Sequence, residues 1–281
     1  MNKGILYIII SGLFFSIINA LVKYYDRIPV LEIIFFRSLV SLILCYFPLR
    51  SKKIKIINQH TPLLLLRGFS GAIALCLYFY TIQKIPLASA VTILYLAPIF
   101  TVLLSAVLMK EHPAKLQIPF FIISFIGAAL LKQFDARVEL IYFLMGLTAA
   151  FFAGLAYNCI RMLKGKADHH LIILYFPMVT LPLVGPFVYH QWVTPTLTEL
   201  IGLICIGVIT QLAQVFMTKA YILEKASKIS HFSYLTSIYA YITGIIFFNE
   251  HLGAMSIIGL ILIIIGVSFS SVFAPKAKIT N

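Results

Sequence analysis

Polar and aromatic side chains lie inside long apolar runs of this 281-residue chain, and several recur at helical spacing. Gln211 and Gln214, three positions apart, would share one helix face, and two amides in apolar surroundings need hydrogen-bonding partners. Such groups bind a small polar molecule by hydrogen bonding and stacking. The residues that we expect to contact such a molecule are Asn19, Tyr78, Tyr80, Tyr95, Asn158, Gln211, Gln214, His231 and Tyr234.

Each candidate also has a purely structural interpretation. Small residues that share a helix face with polar ones, as Gly71 and Ala74 do with Arg67 and Tyr78, often mark a surface where helices pack. The tyrosines could be core aromatics with satisfied hydroxyls, or their rings could form a box for an aromatic or cationic substrate. The sequence leaves these alternatives open.

Few charged residues fall inside the apolar runs. Arg37 is the only basic residue that we place well inside one. It either binds a substrate carboxylate or phosphate, or it is a structural counter-ion to backbone carbonyls or to Glu32. Glu111 and Glu250 stand at the ends of runs, where we expect them to cap neighbouring helices or pair with loop lysines. His231 is the one candidate proton carrier, and the alternative is an exchanger or facilitator.

The sequence contains none of the motifs that mark common enzymes and metal sites. It has no HExxH, no GxSxG, no Asp-rich box and no paired Cys or His set with ligand spacing. Its four cysteines lie singly in apolar runs, as small buried hydrophobes do, so we expect no disulfide. The sequence therefore predicts no enzyme, no metal ion and no other cofactor.

The composition is that of a membrane protein. Hydrophobic residues make up 61% of the chain and charged residues 11%, against about 25% charged in soluble domains. The mean hydropathy is +1.01. The net charge of +13 lies in short loops between apolar runs rather than on a basic face of a soluble domain, so we expect no nucleic-acid partner.

The apolar runs are continuous and about 20 residues long, which is the length of a helix that crosses a bilayer core of about 30 Å. The predicted spans are 4–22, 30–48, 63–82, 88–109, 116–132, 140–161, 171–190, 198–218, 228–248 and 254–273. The joints carry charge or proline, and none is long enough for a soluble domain. The predicted fold class is an all-α integral membrane protein with ten transmembrane helices.

Loop charges predict the orientation. Most of the 22 Lys and Arg residues, Arg67 counted among them, fall on the side that both termini share, so both termini are predicted to be cytoplasmic. The first run lacks a small-x-small cleavage site before Lys23, which indicates a retained helix rather than a signal peptide. No amphipathic transit segment precedes it, which favours the inner (plasma) membrane of a bacterium.

Two apolar runs end in the same dipeptide, Glu-His at 111–112 and again at 250–251. The offset of 139 residues also pairs Gly127 with Gly266. Chance and shared interface chemistry are the alternative explanation for these matches.

A true repeat would place five spans before five similar ones, and an odd number of spans turns the second copy upside down. We therefore predict two inverted five-helix repeats, residues 1–137 and 138–281, with a substrate site near the membrane midplane between them.

The chain resembles the drug/metabolite transporter superfamily, and its EamA-type members in particular, over essentially its whole length. The matching features are Phe36-Arg37, the run PLASAVTILYLAPIFTVLLSAVLMKEH from Pro86 to His112 with its Pro98 and Glu111, and later Gly127, Glu250 and Gly266. The resemblance implies ten helices in two inverted repeats. The chain departs from the pattern at Ser237, where the counterpart of Pro98 is expected, which puts a matching kink in the ninth span in doubt.

A narrower resemblance lies in LLLRGFSGAIALCLYFYTIQKIPLASA, with Arg67-Gly68 at the head of the third span. This stretch is similar to the subgroup that includes S-adenosylmethionine uptake carriers. Other EamA-type members export amino acids or move purines, riboflavin or choline.

The residues and the resemblance together predict a secondary transporter that works by alternating access across the inner membrane. Its substrate would be a small polar or zwitterionic metabolite, such as an amino acid, S-adenosylmethionine or a nucleobase-like compound. Its other partners would be membrane lipid and a second copy in a homodimer, with spans five and ten supporting the fold or that interface. The alternative is a non-transporting membrane scaffold or lipid-handling protein, which has no need of a polar interior.

Overall fold

The protein is described by a computed structural model that covers residues 3–111, 113–224 and 235–273. The helices are α1 (Lys3–Tyr24), α2 (Val30–Ser51), α3 (Thr61–Lys84), α4 (Leu87–Leu94), α5 (Ala97–Leu108), α6 (Ile118–Phe134), α7 (Leu140–Met162), α8 (His169–Gln191), α9 (Leu197–Leu223), α10 (Leu235–Phe248) and α11 (Ala254–Val272). Within the described ranges, eight segments have the length and apolarity of membrane spans, and two shorter apolar helices follow them. The predicted all-α membrane fold class is confirmed.

Capping side chains fix where two of the later helices begin. Asp168 precedes α8 and accepts a hydrogen bond from the backbone N–H of His170 at 2.8 Å. Thr196 and Glu199 form a capping box at the start of α9, in which Glu199 also accepts the Thr196 N–H at 2.7 Å. These bonds satisfy N–H groups that the helices themselves leave free.

The fourth predicted span is interrupted in its middle. Helix α4 ends at Leu94 and α5 begins at Ala97, so Tyr95 and Leu96 join the two helices. Pro98 has no N–H to donate to the carbonyl of Leu94, and its ring crowds that carbonyl, which favours the break at this point. Backbone polar groups near the break can therefore face a cavity at mid-span.

Two kinds of surface cover each helix. Inward faces build the core, where Ile33, Ile82 and Ile206 are fully buried. Outward faces carry large apolar side chains such as Val107 and Phe247, which only a lipid surrounding favours.

The main helix contacts join α6 to α11, α3 to α7, α1 to α9 and α2 to α8. Each of these pairs connects the first half of the chain to the second. The core is therefore built between the halves rather than within each half.

Glycines let α6 and α11 cross with their backbones in contact. A Cβ atom added to Gly127 would lie 2.6 Å from the carbonyl oxygen of Gly259, and a Cβ added to Gly259 would lie 2.6 Å from that of Gly127. Real Cβ atoms do not approach backbone so closely, so these positions require glycine for the crossing.

Gly127→Ala should therefore lower the midpoint of thermal unfolding in detergent. Overpacking costs about 1–3 kcal/mol, which outweighs the gain of about 0.5–1 kcal/mol that alanine brings to a helix interior. The matched control is Gly185→Ala in α8, because a Cβ there meets no atom within 4 Å. This control should unfold at the wild-type temperature or above it. Equal midpoints for the two variants would contradict the close crossing.

Candidate functional site

A cavity of about 150 Å³ lies in the interior, between helices from both halves of the chain. Its polar lining comprises Ser11, Asn19, Arg37, Arg67, Tyr78, Tyr95, Tyr157, Gln214, Tyr221 and Thr236. Apolar side chains such as Phe15, Phe79 and Phe176 complete the wall. Pockets for small molecules commonly combine an apolar wall with a few polar groups in this way.

The break in the fourth span forms one side of this cavity. Leu94, Tyr95, Ala97 and Pro98 all line it. Tyr95 makes contact across the cavity with Thr236 at the start of α10. Carriers often place their binding site at such an interrupted helix.

Two arginines enter the cavity from α2 and α3. Arg37 and Arg67 are each only 2% exposed. Both guanidinium carbons lie over the ring of Phe176, at 5.2 Å and 5.4 Å from its centroid, and that of Arg37 also lies 5.5 Å from Phe79. These are cation–π distances. Phe176 is therefore a shared neighbour of two cations that line the same cavity.

The expectation that Arg37 is the only basic residue inside a span is wrong, since Arg67 lies within α3 and is equally buried. The prediction of orientation counts Arg67 among the loop cations because it stands near the predicted start of the third span. The signal was present in the sequence, because Arg67 shares a helix face with Gly71 and Tyr78, and both line the cavity.

Glu32 does not serve as the counter-ion of Arg37. It accepts a hydrogen bond from the backbone N–H of Val193 at 3.0 Å instead. The side chain of Glu32 thus ties α2 to the segment after α8.

Four of the predicted site residues line the cavity: Asn19, Tyr78, Tyr95 and Gln214. Gln214 accepts a hydrogen bond from Nη2 of Arg67 at 3.3 Å, and Asn19 contacts the hydroxyl of Tyr78. Arg37, the predicted charge partner, lines the cavity as well.

Three predicted residues lie elsewhere. Gln211 accepts from the hydroxyl of Ser41 at 2.6 Å and donates to the sulfur of Cys45 at 2.9 Å, so it joins α9 to α2. Asn158 donates to the carbonyl of Thr101 at 2.9 Å and joins α7 to α5. Tyr80 packs against the core. His231 and Tyr234 fall outside the described residues.

Tyr157 and Tyr221 belong to the wall although sequence reasoning did not select Tyr221. Their rings stack with centroids 4.9 Å apart and an angle of 17° between planes. Tyr221 lies close to the predicted end of the eighth span, so its position along the sequence gave no reason to place it in the interior.

Glu250 closes one end of the bundle. Its Oε1 lies 2.5 Å from Nζ of Lys23, and its Oε2 accepts the backbone N–H of Leu87 at 2.8 Å. The side chains of Lys23 and Glu250 are 16% and 11% exposed. The prediction that Glu250 caps a neighbouring helix and pairs with a lysine is confirmed, and the contacts join α1, α4 and the segment after α10.

The matching glutamate, Glu111, makes a weaker contact at its own position. Its Oε2 accepts from Nη2 of Arg161 at 2.7 Å, and its side chain is 52% exposed. Exposed pairs of this kind contribute little because water screens them. Glu111 and Glu250 therefore differ in burial and in strength of contact.

A third ion pair joins the loops before α3 and α8. Asp168 accepts from Nζ of Lys52 at 3.0 Å. Burial of the carboxyl opposes its ionisation, but the backbone N–H of His170 and the lysine outweigh it and lower the pKa of Asp168 below its ordinary value.

Comparisons with known proteins match this chain to membrane transporters. The sequence profile of the EamA-like transporter family matches residues 2–132 and 140–272. The pseudopaline exporter CntI of Pseudomonas aeruginosa is 33% identical over 94% of this chain and 94% of its own length. The S-adenosylmethionine uptake transporter of Rickettsia prowazekii is 22% identical over 99% and 95%.

Two further similarities were found, one to a curated protein and one to a solved structure. Solute carrier family 35 member G1 of Mus musculus is 25% identical over 88% of this chain and 72% of its own. A solved crystal structure superposes with a TM-score of 0.72 over 98% of this chain and 99% of that one, at 14% identity. This likeness shows a shared fold.

The contacts of Glu250 predict a stability difference between the two equivalent glutamates. Glu250→Gln leaves Lys23 without its carboxylate and should lower the free energy of unfolding by about 2 kcal/mol, less than the about 3–5 kcal/mol of a fully buried pair. Glu111→Gln, the matched control, should cost less than about 1 kcal/mol. Unfolding in detergent would measure both.

A double variant separates the ion pair from other effects of Glu250. Lys23→Met combined with Glu250→Gln should cost less than the two single changes added together, because the singles each break the same contact. Strict additivity would refute a direct interaction.

Proposed function

This chain belongs to the EamA-like transporter family, and from that premise we propose that it is a secondary carrier that moves a small polar or zwitterionic metabolite across a bacterial inner membrane by alternating access. The family and the relatives establish the general function: the chain is a membrane transporter of small molecules and not an enzyme.

The observation that carries the proposal is the cavity at the interrupted fourth span. Polar groups from both halves of the chain converge there, with Asn19 and Tyr78 on the first half and Tyr157 and Gln214 on the second. A scaffold gains nothing from polar side chains held in an apolar interior, where each costs free energy unless it has a partner. A binding site accounts for that cost.

The pattern of helix contacts supports two inverted repeats, residues 1–137 and 138–281. Exchanging the halves turns the α3–α7 contact into the α9–α1 contact, and it turns α2–α9 into α8–α3. The α2–α8 and α6–α11 contacts map onto themselves. The two separate matches of the family profile fall on the same two halves.

Alternating access would use the unequal ends of the bundle. The Lys23–Glu250 pair is mostly buried and holds α1 against α4, whereas the Glu111–Arg161 pair is exposed. In this state the end at Glu250 is the closed one. Opening it requires Lys23 and Leu87 to leave Glu250, and the repeat symmetry offers Glu111 the corresponding role at the other end. With both termini cytoplasmic, the closed end faces outward.

The outer surface fits membrane lipid or a second copy of the chain. Ile118, Ile122 and Ile126 form an exposed apolar stripe along α6. A homodimer in the membrane would cover such a stripe, and lipid would cover it in a monomer.

Gln214→Ala should reduce transport while Gln211→Ala should not. The two residues lie one turn apart on α9, but Gln214 lines the cavity, whereas Gln211 bonds to Ser41 and Cys45. In proteoliposomes, uptake of labelled glutamate, S-adenosylmethionine and adenine would be measured with and without the same compound inside. Loss of one contact to the substrate should reduce uptake roughly tenfold, or about 1.4 kcal/mol.

Two results would contradict the proposal. One is that no panel compound is taken up faster into vesicles preloaded with it. The other is that labelled phospholipid crosses the membrane at a rate that the protein increases, which would favour lipid handling. Gln211→Ala serves as the matched control for general damage to α9.

A further inference from the structure

We infer that Arg37 and Arg67 form the binding subsite for an oxyanion, meaning a carboxylate or phosphate group, on the transported molecule. The inference rests on the proposed carrier function and narrows its substrate to organic anions and to zwitterions whose anionic group is free. Its starting point is the absence of a counter-ion for two buried charges.

No Asp or Glu is among the described residues that line the cavity. Across the described ranges, neither arginine forms an ion pair with a carboxylate. Two full positive charges therefore share an apolar interior without neutralisation. Such charges cost much free energy unless an opposite charge accompanies them.

The groups around the arginines do not replace a counter-ion. The ring of Phe176 attracts both cations, but a ring quadrupole is much weaker than a carboxylate. Gln214 accepts one N–H of Arg67, at 3.3 Å. The Nε atoms of Arg37 and Arg67 are buried and have no hydrogen-bond partner among the described residues. A guanidinium has five N–H donors, and the bond to Gln214 is the one hydrogen bond that either guanidinium makes among the described residues.

The geometry fits an oxyanion better than any other ligand class. Two guanidinium groups beside one ring present planar sets of donors to the same cavity, and such sets match the two oxygens of a carboxylate or the oxygens of a phosphate. Asn19 and Tyr78 can bind the remaining polar groups of the molecule.

The same charges oppose a cationic substrate. The aromatic wall alone would suit a cation, which was one of the alternatives that the sequence left open. Two adjacent guanidinium groups repel a quaternary ammonium ion across an apolar cavity, where water screens charge poorly. The arginines therefore argue against a box of aromatic rings for a cationic substrate.

A structural role for the arginines predicts a different behaviour from a binding role. If Arg37 held the fold together, Arg37→Met should lower the thermal unfolding midpoint of the ligand-free protein. If Arg37 is kept for an absent anion, removing its unpaired charge should leave the midpoint unchanged or raise it. Arg50→Met, at the exposed end of the same helix, is the matched control. A marked drop for Arg37→Met alone would overturn the inference.

Binding is tested on the purified wild-type protein in a buffer without other oxyanions. The probes are glutamate, succinate, inorganic phosphate, choline and adenine, each titrated while the unfolding midpoint is followed. At least one of the first three should raise the midpoint. If phosphate acts and the carboxylates do not, the group is a phosphate; the reverse result identifies a carboxylate. If none of the three raises the midpoint, the inference is overturned without any variant.

Variants then place the site. In Arg37→Gln and Arg67→Gln the dissociation constant of the active anion should rise about 10-fold to 100-fold, as expected for a lost hydrogen bond to a charged group. Arg67→Lys should recover part of the affinity, and Arg50→Gln should retain all of it. Equal affinity in all variants would overturn the assignment.

The outcomes also separate this inference from the proposed function. Choline or adenine could bind with an affinity that Gln214→Ala lowers and that neither arginine change affects. The cavity would then be a substrate site but not an oxyanion site. Carrier function would then stand while the inference fails. If anions bind as expected but no compound is countertransported, the oxyanion site stands and the carrier function fails.

Discussion

The structure depends on one constraint: a charge or polar group placed in an apolar interior must find a partner there. Helices meet the constraint for the backbone, and small residues such as Gly127 let those helices approach closely. Some interior polar side chains meet it by bonding to a neighbouring helix, as Gln211 and Asn158 do, and others by bonding to a carbonyl of their own helix, as Thr81 and Thr180 do. Arg37 and Arg67 differ from these because they are charged, line the cavity and meet no carboxylate among the described residues.

The same constraint accounts for the difference between the two ends of the bundle. Glu250 is partly enclosed and meets both a lysine and a helix N-terminus, so it holds three segments together. Glu111 occupies the equivalent place in the proposed repeat pattern, but its side chain is exposed. Water solvates its carboxylate and screens its charge. A carrier needs such an inequality, because only one end can be closed in any one state. In the inverted-repeat arrangement that we propose, equivalent residues thus adopt different environments within a single conformation.

Membership of the family does not by itself identify the substrate. One relative is named for the export of pseudopaline and another for the uptake of S-adenosylmethionine, so the two names give different molecules and opposite directions. Their shared architecture therefore does not define a substrate. In this chain the cavity of about 150 Å³ carries two arginines and several tyrosines, and on these residues rests our inference of an oxyanion subsite.

Sequence alone determined the membrane surroundings, the helices and the family. Apolar runs of about 20 residues admit no other fold class. The break in the fourth span was not determined in this way, because proline alone does not locate a break and α8 continues through Pro177, Pro182 and Pro186. The sequence also determined that Glu250 would cap and pair, since a carboxylate at the end of a span has few other partners. Only the tertiary structure decided which polar residues face the cavity. Gln211 and Gln214 share a sequence environment, yet one bonds to α2 and the other meets Arg67. Which neighbour a helix face meets depends on contacts between distant segments, and these are not encoded in local spacing.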